Sequence, residues 1–300
     1  MIPERFAAYS AMLPWIHEVT DWSLLRKWAL SEVYRVQLPT GDTRILKWGG
    51  GEMAREADIY QELVHPLRIA APQIFEVVRH MDSVIFVMED AGMSDVEQHP
   101  EQGYFIQAAR ELARIRVTAT ANLGKIMQRK VIEVHLVTSS DFLLLLDQLA
   151  RSPRIADNTF LLSMRSEMPD HIEELYRTVP MTIVHQDYHA KNLLIQPNGG
   201  IMPIDWSNAY VSPHLGDLYC LMSEARNLGH AAEEDIISAF LEGSHLHADQ
   251  LRWQVRLGGL CWLIKTLHWV VYRGADIIPG SEAWVPDLLQ DVEDLAVDIV

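Results

Sequence analysis

The sequence predicts an α+β protein in two lobes: a small antiparallel-sheet lobe with one helix over residues 1–90, and a larger, mainly helical lobe over residues 91–300. Three observations predict it. Short runs of strand-forming residues, separated by turn residues, crowd the first ninety positions. Stretches with a 3.6-residue apolar period dominate the rest. A length of 300 residues also suits two units that each bury a core.

Residues 24–28, 33–38 and 43–48 read as three strands, with Pro39-Thr40-Gly41-Asp42 as the turn between the second and third. Gly49-Gly50-Gly51 breaks the chain. A helix over 53–64 follows, with Ala57, Tyr60, Leu63 and Val64 on one face. Residues 74–79 and 83–88 read as two more strands, joined by the polar turn His80-Met81-Asp82. Helices are expected over 104–117, 141–151, 159–178, 215–228, 233–242, 249–272 and 281–297, interrupted by one short β-insert between Met181 and Trp206. A cleft between two such lobes is a natural ligand site.

Composition narrows the function. There are 41 acidic and 25 basic side chains, a formal charge of −16. A general nucleic-acid or anionic-membrane partner is therefore not expected, since both need basic surface. Cys220 and Cys261 are the only cysteines, so neither a disulfide framework nor a cysteine zinc site is available. The apolar stretch 257–272 contains Lys265 and His268 and is too short to span a bilayer. The expectation is a cytoplasmic protein; nothing in the sequence sets an oligomeric state. Trp253, Trp262, Trp269 and His268 are expected in the helical core, with Trp284 exposed. The acidic surplus is uneven: from residue 231 there are 12 Asp or Glu against 4 Lys or Arg, and Glu282, Asp287, Asp291, Glu293, Asp294 and Asp298 crowd the last twenty residues.

The β-insert carries the chemistry. It runs Thr182-Ile-Val-His-Gln-Asp-Tyr-His-Ala-Lys-Asn-Leu-Leu-Ile195 and continues to Ile204-Asp205-Trp206. Asn198-Gly199 between apolar runs signals a two-residue hairpin. That register would set Asn192 opposite Asp205 at its open end. An amide oxygen and a carboxylate so placed can share one hard cation such as Mg2+. Asp187, five residues before Asn192, is then placed to accept a proton from an attacking hydroxyl beside bound phosphates. His185 is expected to brace the loop. A competing reading groups His185, Asp187 and His189, at alternate positions, as the zinc set of a metal-dependent hydrolase.

His185-x-Asp187-x-x-x-x-Asn192 followed by Ile204-Asp205-Trp206 resembles the catalytic core of the aminoglycoside phosphotransferase and choline kinase family, relatives of the protein kinase fold. His189 fits the His-x-Asp-x-His form common in that group. The resemblance extends over most of the chain and implies a bilobal protein-kinase-like fold using ATP and Mg2+. It implies that Lys47, in Ile45-Leu46-Lys47, contacts the nucleotide phosphates, and that Glu56 pairs with that lysine. It further implies that Met88, Glu89 and Ala91 belong to the hinge at the adenine, that Asp187 is the catalytic base, and that Asn192 and Asp205 hold the metal. His185, His189 and Asp217, in Gly216-Asp217-Leu218, would support the catalytic loop. The expected reaction moves the γ-phosphate to a hydroxyl of a small molecule, aminoglycoside-, choline- or sugar-like. An acidic lining near the chain's end would attract an amine-bearing acceptor.

The chain departs from the family pattern in places. Gln186 stands where a glycine is usual. Arg114 and Arg116 lie where a histidine often follows a Leu-Ala pair. The stretch 28–33, between the first two strands, has no glycine for a phosphate loop, and leaves Ser31 as its hydroxyl donor. The glycine-free loop and Gln186 motivate a further alternative, a non-catalytic kinase-like nucleotide-binding module.

Overall fold

The computed structural model describes all residues except 129, 156–158, 229–230 and 298–300. Strands β1 (Asp21–Lys27), β2 (Ser31–Gln37), β3 (Thr43–Gly50), β4 (Ile74–His80) and β5 (Ser83–Glu89) form one antiparallel sheet in the order β1-β2-β3-β5-β4. The β2–β3 turn closes with the Leu38 amide donating to the Asp42 carbonyl at 2.8 Å, and Gly41 takes φ +90°, which a side chain would strain. A short helix α1 (Glu4–Ala7) precedes the sheet. Phe6, Tyr9, Leu13 and Ile16 from this leading segment pack with Val36, Leu46, Ile85 and Val87. The sequence reading assigned these residues no element, because the segment is too short to show a period.

The helix expected over 53–64 is three pieces: a 3-10 turn at Gly51–Arg55, α2 (Glu56–Ile59) and a π turn at Tyr60–Val64. Gly49 lets it start close to the sheet: a Cβ there would lie 2.7 Å from the Met53 carbonyl oxygen.

After Glu89 the described chain is mostly helical: α3 (Gln102–Ile126), α4 (Ser139–Ala150), α5 (Thr159–Thr178), α6 (Gly216–Leu228), α7 (Glu233–Gly243), α8 (Ala248–Trp269), the short α9 (Ala275–Ile277) and α10 (Val285–Ala296). Helix α3 runs nine residues past its expected end. The extension contains Thr118, Thr120, Asn122 and Gly124, poor helix formers, and is retained because Ala119, Leu123 and Ile126 are buried in the core. Thr138 and Asp141 form a reciprocal capping box at α4. No helix among the described residues is long and apolar enough to cross a membrane.

The β-insert holds four strands: β6 (Thr182–Val184), β7 (Leu193–Ile195), β8 (Ile201–Pro203) and β9 (Tyr210–Ser212). β7 pairs with β8 and β6 with β9. β9 lies beyond the expected end of the insert and completes it. Helix α6 begins just after β9 and crosses α8 at Gly258, where a Cβ would lie 2.5 Å from the Leu215 amide nitrogen. That close approach fixes the start of α6, and with it Asp217, under the loop between β6 and β7.

The expected core tryptophans lie at its margin: Trp253 and Trp262 are half-buried and pack against the helical core, and Trp269 is half-buried. His268 is half-buried too, with its Nε2 2.7 Å from Gln148 Oε1. Trp284 is 46% exposed. Asp287, Asp291 and Asp294 are exposed on α10, and Asp298 lies outside the described residues.

Candidate active site

The loop from His185 to Asn192 is built on buried hydrogen bonds. Asp217, at the start of α6, accepts the His185 amide at 2.7 Å and the Gln186 amide at 2.9 Å. Burial pushes its carboxyl pKa up, against the opposing pull of His185 and the two amides. His185 is buried, and its Nε2 lies 3.0 Å from the Ile204 carbonyl oxygen. Its Nδ1 accepts the Asp187 amide at 3.3 Å. The ring lies 4.4 Å, centroid to centroid, from that of the fully buried Trp206.

Gln186 explains the departure from glycine. Its φ is +71°, the left-handed region where a non-glycine residue is strained by about 1–3 kcal/mol. Its side chain offsets that strain. Tyr210 donates to Gln186 Oε1 at 2.7 Å, and Gln186 Nε2 donates to Thr266 Oγ1 at 3.2 Å and to the Trp262 carbonyl at 3.3 Å. The Trp262 indole N–H donates to the Gln186 carbonyl at 2.5 Å.

Asp187 projects from this loop. Asn208 Nδ2 donates to its Oδ2 at 2.5 Å. Asn192 Nδ2 donates to the Asp187 carbonyl at 2.9 Å, and no donor among the described residues reaches Asn192 Oδ1. That leaves a hard oxygen free to act as a ligand.

Asp205 arrives differently from the expected register. The observed pairs are Leu193 with Pro203, Leu194 with Met202 and Ile195 with Ile201, one step from the expected pairing. The loop is Pro197-Asn198-Gly199, three residues closed by Gln196 and Gly200, with Gly199 at φ +78°. Asn192 therefore faces Ile204, whose amide donates to the Asn192 carbonyl at 2.9 Å. One step of register moves a side chain to the other face. Asp205 escapes that consequence because it leaves the ladder in the left-handed region, φ 62° and ψ 61°.

There it meets the sheet. Lys47 Nζ lies 2.9 Å from Asp205 Oδ1 and 2.6 Å from Glu56 Oε2. Ser207 Oγ also donates to Asp205 Oδ1 at 3.0 Å, and Arg26 Nη1 lies 3.5 Å from Oδ2. Lys47 and Glu56 are buried. Burial works against the Lys47 charge, but Asp205 and Glu56 outweigh it and raise its pKa. Burial likewise opposes the Asp205 charge, and Lys47 then holds that carboxyl far below the ordinary range. Glu56 goes the other way: burial raises it more than Lys47 lowers it. The donor set of the Asn192 amide oxygen and the Asp205 carboxylate fits a magnesium ion chemically.

The remaining sequence candidates fall in three places. Ser31 lies opposite Gly49, two positions from the Val33–Lys47 pair and so on the Lys47 face. Met88 is buried in β5, and Glu89 Oε2 accepts the Gln73 amide at 3.1 Å. Glu89 and Ala91 line a cavity of about 600 Å3 with His99, Tyr104 and Gln196, and Gln196 Nε2 donates to the Ala91 carbonyl at 3.0 Å. Lys47, Asp187 and Asp205 do not line this cavity, so the side-chain geometry, not the cavity, locates the chemistry.

His189 turns toward α6. Its Nδ1 lies 3.5 Å from Cys220 Sγ and 3.6 Å from Glu224 Oε1. Cys220 and Glu224 both raise the His189 pKa, to about 11. Burial keeps the Cys220 thiol neutral near pH 7, so Glu224 is the charged partner there. The hydrolase reading fails on this geometry: among the described residues no three His, Cys, Asp or Glu side chains converge on a metal.

Sequence reasoning missed several residues at the site. Arg26, Asn208 and Glu224 reach it, the last about two helical turns past Asp217, a spacing that could have flagged it. Arg116 is buried and donates to the Pro213 and His214 carbonyls at 2.7 and 2.8 Å, tying α3 to the start of α6; burial pulls its pKa down to about 10. Arg114 instead pairs with Glu111 on its own helix. Lys265 on α8 lies 4.9 Å from the Tyr210 ring centroid and, among the described residues, pairs with no carboxylate within 4 Å. Burial lowers its pKa while Asp187 raises it.

Comparison with known proteins adds the family. Among solved structures, a choline/ethanolamine kinase family protein from Mesorhizobium loti superposes with a TM-score of 0.69 at 14% identity, covering 98% of this chain and 94% of that one. A choline kinase from Streptococcus pneumoniae gives 0.66 at 16%, covering 98% of both chains. A thermostable mutant of an aminoglycoside phosphotransferase, in ternary complex with AMP-PNP and hygromycin B, gives 0.61 at 15%, covering 95% and 98%. At these identities the likeness shows a shared kinase-like fold. No curated protein matched the chain. A sequence model of the phosphotransferase enzyme family matches residues 21–255, which span both the sheet and the catalytic-loop region. The chain therefore belongs to the phosphotransferase enzyme family.

Proposed function

We propose that this protein is an ATP- and magnesium-dependent kinase that moves the γ-phosphate of ATP to a hydroxyl of an amine-bearing small molecule. One observation carries the reading: Lys47 is held between Glu56 and Asp205, while Asp187 and Asn192 extend from the adjoining loop. In this reading Lys47 neutralises the nucleotide's phosphates and Glu56 keeps its ammonium in place. Asn192 and Asp205 would hold the magnesium ion, which when bound supplies charge neutralisation of the polyphosphate. Asp187 takes the proton of the acceptor hydroxyl as the new O–P bond forms and ADP leaves. Asn208 fixes one Asp187 oxygen, which orients the other. Asp217, through the loop amides, holds that geometry without touching a reactant.

The structural neighbours are named for choline, ethanolamine and an aminoglycoside antibiotic, and each of those molecules carries a cationic nitrogen, quaternary in choline and a protonated amine in the others. Glu224, which accepts the Ala190 amide of the loop at 3.2 Å and lies beside His189, is a part-exposed carboxylate whose charge favours such an acceptor. The acids of α10 lend no support, since Asp287, Asp291 and Asp294 face solvent. Lys265 favours a second reading, an acceptor that also carries an anionic group, because its ammonium lacks a carboxylate partner among the described residues and feels Asp187.

An acceptor screen that measures ADP release tests both. Turnover with aminoglycosides or choline-like amines supports the first reading, and turnover only with hydroxy acids or amino acids bearing a hydroxyl supports the second. Asp187→Asn should bind nucleotide as the wild type does and lose transfer by about 10²–10⁴-fold. Near-wild-type turnover in that variant would remove Asp187 from the chemistry.

A further inference from the structure

The stretch joining β1 to β2 has no glycine, and part of its backbone is already spent. The Trp28 amide donates to the Ser31 carbonyl at 2.7 Å, and the Leu30 carbonyl accepts from Gly50 at 3.0 Å. We infer that Arg26 grips the nucleotide's phosphates from the sheet side, doing with a guanidinium what a glycine-rich loop does with backbone amides. The inference rests on the kinase reading above.

The placement of Arg26 comes from an irregularity in β1. Trp22 pairs with Val36 and Leu24 with Tyr34, so regular pairing would set Arg26 opposite Glu32. The register shifts between Leu24 and Arg26, and Arg26 pairs with Val33 instead. Directly paired residues share a face, and Val33 pairs with Lys47. The bulge therefore moves Arg26 from the Glu32 face to the Lys47 face, as bulges beside active sites do when they re-aim a side chain.

The neighbouring charges are divided accordingly. Glu32 is buried and meets Lys27 Nζ at 2.9 Å and Arg5 Nε at 3.3 Å. Those two cations are thus committed elsewhere. Among the described residues the only carboxylate Arg26 reaches is Asp205, at 3.5 Å, with its side chain 39% exposed and its guanidinium carbon 5.7 Å from the Trp28 ring centroid. A contact of 3.5 Å is long for a charge-assisted hydrogen bond, so little is lost in exchanging it. When Asp205 turns to a divalent cation, the forked guanidinium is left beside the phosphates that accompany that cation. Its planar donors match phosphate oxygens two at a time, which an ammonium cannot do.

The test is titration calorimetry of wild type, Arg26→Ala and Arg26→Lys with Mg-ATP, Mg-ADP and adenosine, with thermal melts of each protein alone. The expected result is a loss of about 10–100-fold in ATP affinity for Arg26→Ala, in line with one charged hydrogen-bonding group. Adenosine affinity should not change, the fall of ATP affinity with rising salt should become shallower, and Arg26→Lys should recover only part of the loss. ATP affinity within twofold of wild type in Arg26→Ala would overturn the inference. So would an equal loss for ATP and adenosine, which marks a structural role. Failure of the wild type itself to bind Mg-ATP would overturn the kinase reading and this inference with it.

Discussion

The two sides of the candidate site are held by different forces. On the sheet side, Lys47, Glu56, Asp205 and Arg26 come from four separate elements and meet as charges. On the helical side, the loop from His185 to Asn192 rests mainly on directional hydrogen bonds, to Asp217, Tyr210, Trp262 and Thr266. The difference suits two tasks. Ion pairs without tight geometry can be exchanged for a metal ion and phosphates. Buried directional bonds fix the base that must meet one hydroxyl at one distance. An exchangeable half therefore sits against a rigid half, and each can be perturbed separately.

The largest effect is expected on the rigid side. Asp217→Ala leaves two buried amides without an acceptor, at a cost of about 2–6 kcal/mol. Denaturant melts should show that loss equally with and without magnesium, and transfer should fall although Asp187 is intact. Rescue of stability by magnesium would break the contrast. Next comes Lys47→Met on the exchangeable side. It strands the buried Glu56 carboxylate and takes from Asp205 its nearer cation, at a cost of about 3 kcal/mol. Here magnesium should restore part of the melting temperature, because a divalent cation can replace the lost charge at Asp205. No restoration would mean that Asp205 is not a metal-facing group.

Gln186→Gly is expected to change stability by only about 1 kcal/mol. It relieves the left-handed backbone strain and loses the side-chain bonds to Tyr210 and Thr266, two terms of similar size. A loss well beyond that would show the side chain, not the backbone, to be the greater term.

The smallest effect is a pH dependence at the rim of the rigid side. The folded-state pKa of His189 is raised by its contacts with Cys220 and Glu224, so its charged contact gives stability that is fully present below its ordinary 6.5 and lost as pH rises through the folded value. Glu224 is lowered, so its share is present above its ordinary 4.5 and lost as pH falls further. The melting-temperature gap between wild type and His189→Asn, worth about 1 kcal/mol, should be widest near pH 6 and should shrink from pH 6.5 upward. A gap that stays flat to pH 10 would remove the charge from the interaction.

What the sequence determined by itself was local. Short strand-forming runs bounded by turn residues placed the five strands of the sheet to within a few residues, and helical periodicity placed α4 to α8. The spacing from His185 to Asn192, with Asp205 after the hairpin, was enough to indicate the family, because a short loop fixes by covalent reach which side chains can meet. Tertiary structure decided the rest. The register of β7 and β8 turned on a three-residue loop that the Asn-Gly signal did not distinguish, and Asp205 reached Lys47 only through a left-handed backbone. The pairing of β9 with β6, the start of α6 against Gly258, and the buried Arg116 all depend on partners far away in sequence. Arg26 shows the limit most clearly. A single extra residue in β1 changed its face, and strand alternation read from sequence alone cannot reveal a bulge whose cause lies in the pairing itself.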